Sequence, residues 1–122
     1  MSRSLILFAH GARDPRWVEP FQRLQKLIEA KLQGVAVELA FLELMTPQLP
    51  ELVERLVLNG CRDVTVVPVF LGQGGHVLRD LPLIVDRLRQ NHPALNLHVA
   101  GAAGEDAEVL AAIAMYCIGV LG

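Results

Sequence analysis

The chain has 122 residues, of which 52% are hydrophobic, so it can form one domain with a buried core and is too apolar for a disordered chain. Its net charge of −2, with 20% charged residues, argues against a nucleic-acid surface, which is normally basic. Val109–Gly122, an apolar stretch without a charged residue, is shorter than the roughly 20 residues that a membrane-spanning helix needs. Neither nucleic acid nor a membrane is therefore an expected partner.

The two cysteines, Cys61 and Cys117, form no C-x-x-C pair. This predicts two reduced, partly buried thiols and a cytoplasmic location. A cysteine-ligated iron–sulfur cluster would need about four cysteines and is excluded. Because a strand-like run begins close to Met1, we expect no signal peptide.

Strand-like and helical segments alternate along the chain. This alternation predicts one α/β domain over residues 1–122, with a four-stranded parallel sheet, helices on both faces and right-handed crossovers. A flavodoxin-like strand order of 2-1-3-4 is expected, with the switch point between the first and third strands. The strands are predicted at residues 4–9, 35–42, 64–71 and 95–100, and the helices at about 17–32, 47–58, 79–91 and 105–120.

Prolines mark two of the predicted boundaries. Asp14-Pro15 has the N-cap and first-turn residues of a helix start. Pro68 lies inside the third predicted strand, where proline removes a hydrogen-bond donor from the ladder. We therefore expect Pro68 at a bulge or where that strand begins to diverge.

The last predicted helix, residues 105–120, is apolar nearly all round after Glu108. Such a helix is normally buried on more than one side. In a chain this short, a subunit interface is the natural place to bury the remaining surface.

Three residues able to bind a metal follow the first three predicted strands. His10, Glu43 and His76 are spaced equally, 33 residues apart, which is about the length of one strand-helix unit, roughly 30 residues. In a parallel sheet all three would emerge at the carboxyl edge, where open α/β folds bind their ligands. Two imidazoles and a carboxylate suit a borderline divalent metal.

Each of these residues also has a simpler interpretation. His10 could bond a neighbouring carbonyl and hold its loop, and an isolated Glu43 is most often a solvated or capping acid. His92 is expected to be solvated in a polar turn, and His98 to be a partly buried structural residue. The metal-site hypothesis rests on the equivalent positions of His10, Glu43 and His76.

Glycines precede His76, and they allow a sharp turn or a close approach of the backbone to a ligand. An anion nest for phosphate is the competing interpretation. The sequence contains neither G-x-x-x-x-G-K-[ST] nor G-x-G-x-x-G, so nucleotide binding has little support. Asp80 suits the start of the third helix and could instead orient His76. The glycines are Gly72, Gly74 and Gly75.

Arg13 and Arg79 lie close in sequence to the proposed ligands. Alone, each would be an ordinary surface charge. Beside a metal crevice they become candidates for binding carboxylates on a ligand, because guanidinium pairs with carboxylates bidentately.

The segments LILFAHGARDP, AFLELMTPQLPE and VVPVFLGQGGHVLRDLP resemble the short CbiX-type sirohydrochlorin chelatases of the class II chelatase superfamily. The resemblance runs from about residue 4 to residue 90. It implies that His10 and His76 bind the metal and that Glu43 helps at the same site. Ala12 stands where many relatives have serine, and the chain lacks the histidine-rich tail of some members.

The resemblance implies ATP-independent insertion of cobalt or iron, as substrate, into a reduced tetrapyrrole, with no tightly bound cofactor. A single copy of the unit implies a homodimer, since longer relatives carry two. Arg13 and Arg79 are then candidates for the carboxylates of the tetrapyrrole, and Gly74 and Gly75 for a close backbone approach to it. The apolar walls are expected from Phe8, Leu44, Met45 and Leu71.

Three other functions remain open at this point. A metal or tetrapyrrole carrier would use the same residues without turnover. A metal-assisted hydrolase would activate water in an open site, but no evident nucleophile or general base is left over. A receiver-like regulatory domain has a similar size and fold, but a histidine and a glycine stand where its cluster of acids is expected.

Overall fold

The computed structural model describes residues 2–72 and 74–122, and within these ranges all side chains except those of Ser2, Gly75, His76 and Leu78. Four strands and four α-helices alternate in this part of the chain, with two short 3-10 helices, η1 and η2. They are β1 (Ser2–Ala9), η1 (Pro15–Val18), α1 (Glu19–Glu29), β2 (Val35–Phe41), α2 (Leu49–Leu58), β3 (Cys61–Pro68), α3 (Gly75–Asn91), β4 (Asn96–Val99), η2 (Ala103–Glu105) and α4 (Ala107–Val120).

The strands form a parallel sheet in the order β2-β1-β3-β4, which confirms the predicted order. The chain leaves β1 toward β2 on one side and later adds β3 on the other side. The switch point therefore lies between β1 and β3, where α/β folds of this type bind ligands beyond the carboxyl ends of the strands.

Several boundaries differ from the prediction, and the start of α3 matters most. The helix begins at Gly75 rather than near Arg79, so Gly75 and His76 lie in its first turn and not in the preceding loop. Gly74 is the N-cap, with extended backbone angles. Sequence periodicity missed this turn because glycines lack the apolar pattern that marks a helix.

The predicted proline boundaries are confirmed. Asp14 caps η1, its carboxylate accepting a hydrogen bond from the backbone N–H of Arg16. Pro20 at the start of α1 separates the predicted first helix into η1 and α1. Pro68 is the last residue of β3 and pairs with Phe8, so the strand ends where a ladder donor is lost.

The main core lies between the sheet and helices α2 and α3. Ile6 and Phe8 of β1 are fully buried there. The burial of Phe8 corrects the prediction that it lines a ligand site, because alternate residues of a strand face opposite sides of the sheet. Other members of this core are Leu52, Val53, Val64, Val66, Val77, Leu81 and Val85.

The opposite face of the sheet is covered unevenly. One row across the strands runs Val37, Leu5, Thr65, His98, as the strand register shows. Val37 is buried, Leu5 and Thr65 are half-buried, and His98 is exposed. Helix α1 packs on β2 at one end of this row, where the Gln25 side-chain amide donates to the Val37 carbonyl at 2.6 Å. The exposure of His98 corrects its predicted partial burial.

Helix α4 lies largely in solvent. Asp106 caps it through its carboxylate, which accepts hydrogen bonds from the backbone N–H groups of Glu108 and Val109. Every residue from 111 to 120 is exposed. Cys117 is therefore exposed, not partly buried as predicted, whereas Cys61 is buried. Among the described residues, no helix combines the length and apolarity needed to cross a membrane.

Candidate functional site

The carboxyl ends of β1 and β2 hold two of the predicted ligands side by side. Strand pairing continues past both strands, since the Leu42 N–H donates to the Ala9 carbonyl at 2.9 Å and the Glu43 N–H donates to the His10 carbonyl at 3.0 Å. The backbones of His10 and Glu43 are thus hydrogen-bonded directly. Their proximity follows from the register of a parallel ladder.

Gly11 makes this close pairing possible. Its φ is +96°, a left-handed conformation that L side chains rarely adopt. A Cβ at this position would also collide with the backbone carbonyl of Glu43. A glycine after His10 is therefore required for β1 and the segment after β2 to approach at this edge.

The ring of His10 is placed by an aromatic contact. It stacks on Phe70 with ring centroids 4.4 Å apart and an angle of 40° between the planes. Phe70 is buried and follows β3, whose continuation is held by a 2.8 Å hydrogen bond from the Val69 N–H to the Phe8 carbonyl. The half-buried His10 thus sits over the switch point between β1 and β3.

A tight turn after β2 presents Glu43. The Met45 N–H donates to the Glu43 carbonyl at 2.8 Å, and Leu44 has a φ of 67°, unusual for a residue with a side chain. The chain then returns to β2 through a 3.0 Å hydrogen bond from the Phe41 N–H to the Pro47 carbonyl. Glu43 and Leu44 are exposed at the tip of this turn.

A cleft of ≈ 420 Å³ opens beside Glu43, between the end of β2 and helix α3. The α3 residues in its wall have the spacing i, i+3, i+4, i+7, which places them on one side of a helix. Sequence analysis missed Arg87 and Leu83, although this spacing from Asp80 was the available signal. The lining residues are Leu42, Glu43, Asp80, Leu83, Ile84 and Arg87.

The two arginines predicted at the site are exposed. The Arg79 side chain donates from Nε to a carboxylate oxygen of Asp80 at 3.3 Å. Next to Arg13, the Arg16 guanidinium binds the Asp14 carboxylate through Nη2 at 2.7 Å and Nε at 3.1 Å. The side-chain and backbone hydrogen bonds from Arg16 lower the pKa of Asp14 below its usual value of 3.8. The Asp14 carboxylate therefore acts as the N-cap of η1.

Comparison with known proteins identifies a family that shares the sequence motifs of this chain. The sequence model of the CbiX family matches residues 4–116.

The chain belongs to the CbiX family.

A CbiX protein of Marinobacter aquaeolei, described as a putative cobalamin biosynthesis protein, has a crystal structure similar to that of this chain. The comparison gives a TM-score of 0.84 and 31% sequence identity, and it covers 98% of this chain and 97% of that one. The sirohydrochlorin chelatase SirB of Bacillus subtilis subspecies spizizenii, solved in complex with cobalt, gives a TM-score of 0.80 at 23% identity. The match covers 98% of this chain and 51% of SirB. At that identity SirB supports the fold alone.

Curated relatives of this CbiX-family chain are longer than the region they share with it. The sirohydrochlorin cobaltochelatase of Methanocaldococcus jannaschii is 32% identical over 89 residues, which are 73% of this chain and 62% of that protein. For the protein of the same name from Priestia megaterium, the figures are 26% identity, 88% of this chain and 35% of that protein. The chain thus spans about a third to two thirds of these relatives.

The structure tests the predicted CbiX-type site only in part. It brings His10 and Glu43 together at one edge, and it places His76 in the first turn of α3. The side chain of His76 lies outside the described part, so its convergence with the other two remains a prediction. Among the described side chains, no group of three His, Cys, Asp or Glu could hold a metal ion. Gly74 is the N-cap of α3, at the carboxyl edge of the sheet, and Arg79 lies about one turn further along the helix.

Proposed function

We propose that the chain is an ATP-independent chelatase that inserts Co²⁺, or alternatively Fe²⁺, into sirohydrochlorin in the biosynthesis of cobalamin or sirohaem. The observation that carries the proposal is the hydrogen-bonded backbone pairing of His10 with Glu43 at the carboxyl edge of the sheet, next to the switch point, in a chain of the CbiX family. The names of the curated relatives support the substrate. The same relatives are named cobaltochelatases, which agrees with the proposed metal.

The chemistry requires a metal to exchange its ligands for four ring nitrogens while two pyrrole protons leave. His10, Glu43 and His76 form the proposed ligand set. Three protein ligands leave coordination positions open, whereas a structural site of four ligands is closed. Imidazole also exchanges a proton near neutral pH, so a histidine released from the metal can accept a pyrrole proton.

The surroundings of Glu43 suit a flat ring with acidic substituents. Leu44 and Leu83 are 54% and 63% exposed, so both can contact an apolar ring face. The cleft beside Glu43 also contains Arg87. We assign Arg13, Arg79 and Arg87 to the carboxylates of the substrate, since guanidinium groups bind carboxylates in a bidentate geometry. Leu71, Met45, Gly74 and Gly75 complete the proposed contacts.

A homodimer in the cytoplasm is the proposed working state. The 51% coverage of SirB and the 35% coverage of the Priestia megaterium protein support it, because this chain corresponds to a fraction of each. Two copies would supply an amount of structure comparable to that of the longer relatives.

The decisive experiment measures Co²⁺ insertion into sirohydrochlorin by absorbance, for the wild type, His10→Ala and His76→Ala. We expect both variants to lose about 100-fold or more in rate, as for other groups that act in proton transfer. His92→Ala is the matched control, since His92 follows the far end of α3. It should insert Co²⁺ at the wild-type rate.

The outcomes separate the alternatives. A wild-type rate equal to that of the uncatalysed reaction would reject the chelatase function. Stoichiometric binding of metal or tetrapyrrole without acceleration would identify a carrier. Equal rates for wild type and His10→Ala would remove His10 from the site while leaving the reaction itself in place.

A further inference from the structure

The two residues that follow β3 and Val69 belong to the candidate site but lie beyond the strand. β3 ends at Pro68, and the Val69 N–H still donates to the Phe8 carbonyl at 2.8 Å. Phe70 and Leu71 come next. The Phe70 ring stacks on His10, and Leu71, which is 68% exposed, is one of the proposed substrate contacts. Whatever holds Phe70 and Leu71 therefore also sets the geometry of the site.

The Phe70 side chain connects the core to His10. Its ring meets that of Phe8 edge to face, with centroids 6.1 Å apart and an angle of 66° between the planes. The same ring stacks on His10. Both arrangements are favourable contacts between rings, and Phe70 is buried between its neighbours. A shift of the Phe70 backbone would therefore remove the support from under the imidazole.

The connection after β4 holds the backbone of Phe70. The Ala100 N–H donates to the Val66 carbonyl at 2.9 Å, so the pairing of β4 with β3 continues into the start of this connection. Further on, the Gly104 N–H donates to the Phe70 carbonyl at 2.7 Å. Gly104 is buried in η2. The connection thus reaches back to the residue that stacks on His10.

Only glycine fits at position 104. A Cβ there would collide with the backbone Cα, C and O atoms of Leu71, so either η2 or the segment after β3 would have to move. η2 is the better anchored of the two. Ala102, its N-cap, is 2% exposed in the main core, and the Glu105 N–H donates to the Ala102 carbonyl at 3.0 Å.

The segment after β3 has room to move instead. An apolar cavity of ≈ 190 Å³ lies beside it, lined by Val69, Phe70, Leu71, Ala103, Gly104 and Val109. A side chain at position 104 would therefore displace Leu71, and with it the neighbouring Phe70.

We propose that Gly104 is a positioning residue of the candidate site and that it acts on His10 through Phe70. Gly104 lies beyond the sequence motifs of the site, which end near residue 90. Its contacts with Phe70 and Leu71 bring the connection after β4 into the support of a proposed metal ligand. The consequence for chelation rests on the proposed function, whereas the placement of the His10 ring does not.

Proton NMR of the histidine rings tests the placement without any substrate. The His10 ring protons lie near the Phe70 ring, whose ring current shifts their resonances, and His10→Ala identifies these signals. Phe70→Leu should remove the ring-current shift. Gly104→Ala, at the same pH, should move the His10 resonances toward their positions in Phe70→Leu. A folded Gly104→Ala variant with wild-type His10 resonances would overturn the proposal.

Gly101→Ala is the matched control. Gly101 lies in the same connection but is exposed, and a Cβ there meets no atom within 4 Å. Its His10 resonances should stay at their wild-type positions. If Gly104→Ala does not fold, Ala102→Gly replaces it, since this change weakens the buried anchor of η2. It should move the same resonances in the same direction by a smaller amount, and unmoved resonances would then reject the proposal.

The rate of Co²⁺ insertion into sirohydrochlorin tests the consequence. We expect kcat of Gly104→Ala to fall about 10- to 100-fold, because a small misplacement of a reacting group has effects of this size. Gly101→Ala should keep the wild-type kcat. Leu88→Ala removes a buried side chain near the far end of α3 and controls for lost stability alone. It should also keep the wild-type kcat at a temperature where all variants are folded.

The two measurements fail separately. A wild type without chelatase activity would reject the proposed function, and the NMR comparison would still decide whether Gly104 positions His10. In an active wild type, moved resonances in Gly104→Ala with an unchanged kcat would overturn the role of Gly104 in the reaction.

Discussion

Strand β1 and helix α4 are both strongly apolar, yet side chains of β1 are buried and those of α4 are exposed. In β1, Ile6 and Phe8 are fully buried between the sheet and the helices that cover it. In α4, Ile118 is 62% exposed. The difference shows that apolar composition marks surface to be buried, whereas the position of the element decides whether its own chain can bury it. A central strand meets neighbours on both sides, but the last helix follows an edge strand.

The same substitution in both regions gives the sharpest test of this contrast. Ile6→Ala should reduce the free energy of unfolding by about 2–5 kcal/mol, since it removes a fully buried side chain and leaves a cavity. Ile118→Ala should change the stability of the isolated protomer by less than about 0.5 kcal/mol, as for exposed positions. Denaturant titration at low protein concentration measures both. Equal losses would contradict the contrast.

Ile118→Glu extends the comparison to assembly. The charge is tolerated in solvent but would be buried if α4 forms the interface of the proposed homodimer, so we expect a monomer by light scattering and a Tm that no longer rises with protein concentration. Leu58→Glu, at an exposed apolar residue of α2, is the control and should stay dimeric. A dimeric Ile118→Glu variant would place the interface elsewhere.

Gly11→Ala tests whether the candidate site needs the close backbone pairing of His10 with Glu43. The left-handed backbone and the collision with the Glu43 carbonyl should cost about 1–3 kcal/mol of stability. Gly34→Ala is the control, since Gly34 also has a positive φ, of 76°, but a Cβ there meets no other atom. Chelatase activity at a temperature where both variants are folded should fall only for Gly11→Ala. Unchanged activity would show that the pairing of His10 with Glu43 is dispensable.

Arg87→Gln probes the cleft that sequence analysis missed. Loss of one charge-assisted contact should raise KM for sirohydrochlorin about ten-fold with little change in kcat. Arg55→Gln is the control, because Arg55 is exposed on α2 and does not line the cleft. If the KM of Arg87→Gln matched that of the control, Arg87 would not bind substrate.

The smallest expected effect concerns Asp14. Its pKa is lowered in the folded chain by hydrogen bonds from Arg16, so its stabilising contribution is present above the unfolded value of 3.8 and is lost as the pH falls through the lower folded pKa. Asp14→Asn should therefore be slightly less stable than the wild type at pH 7, and the difference should shrink as the pH falls below 3.8. Because the pair is exposed, added salt should also reduce it. A difference that does not shrink on acidification would contradict a charge effect.

The fold was largely predictable because strands and helices alternate with strong apolar periodicity. The sheet order agreed with the flavodoxin-like expectation, and Asp14 and Pro68 marked boundaries through their own backbone chemistry. The start of α3 was not predictable, since glycines carry no periodic signal. The aromatic support of His10 by Phe70 was also missed, because the two residues are far apart in sequence and meet only through the pairing of β1 with β3.

The sequence by itself determined that His10 and Glu43 follow successive strands of the chain at the same edge of the sheet, because the length of a strand-helix unit places equivalent residues there. It also determined that the last helix needs a partner, because it is apolar on all sides. Only the tertiary structure decided which surfaces are left without one. That depends on how α1 covers β2 and leaves β3 and β4 open, a consequence of strand order that no local pattern in the chain encodes.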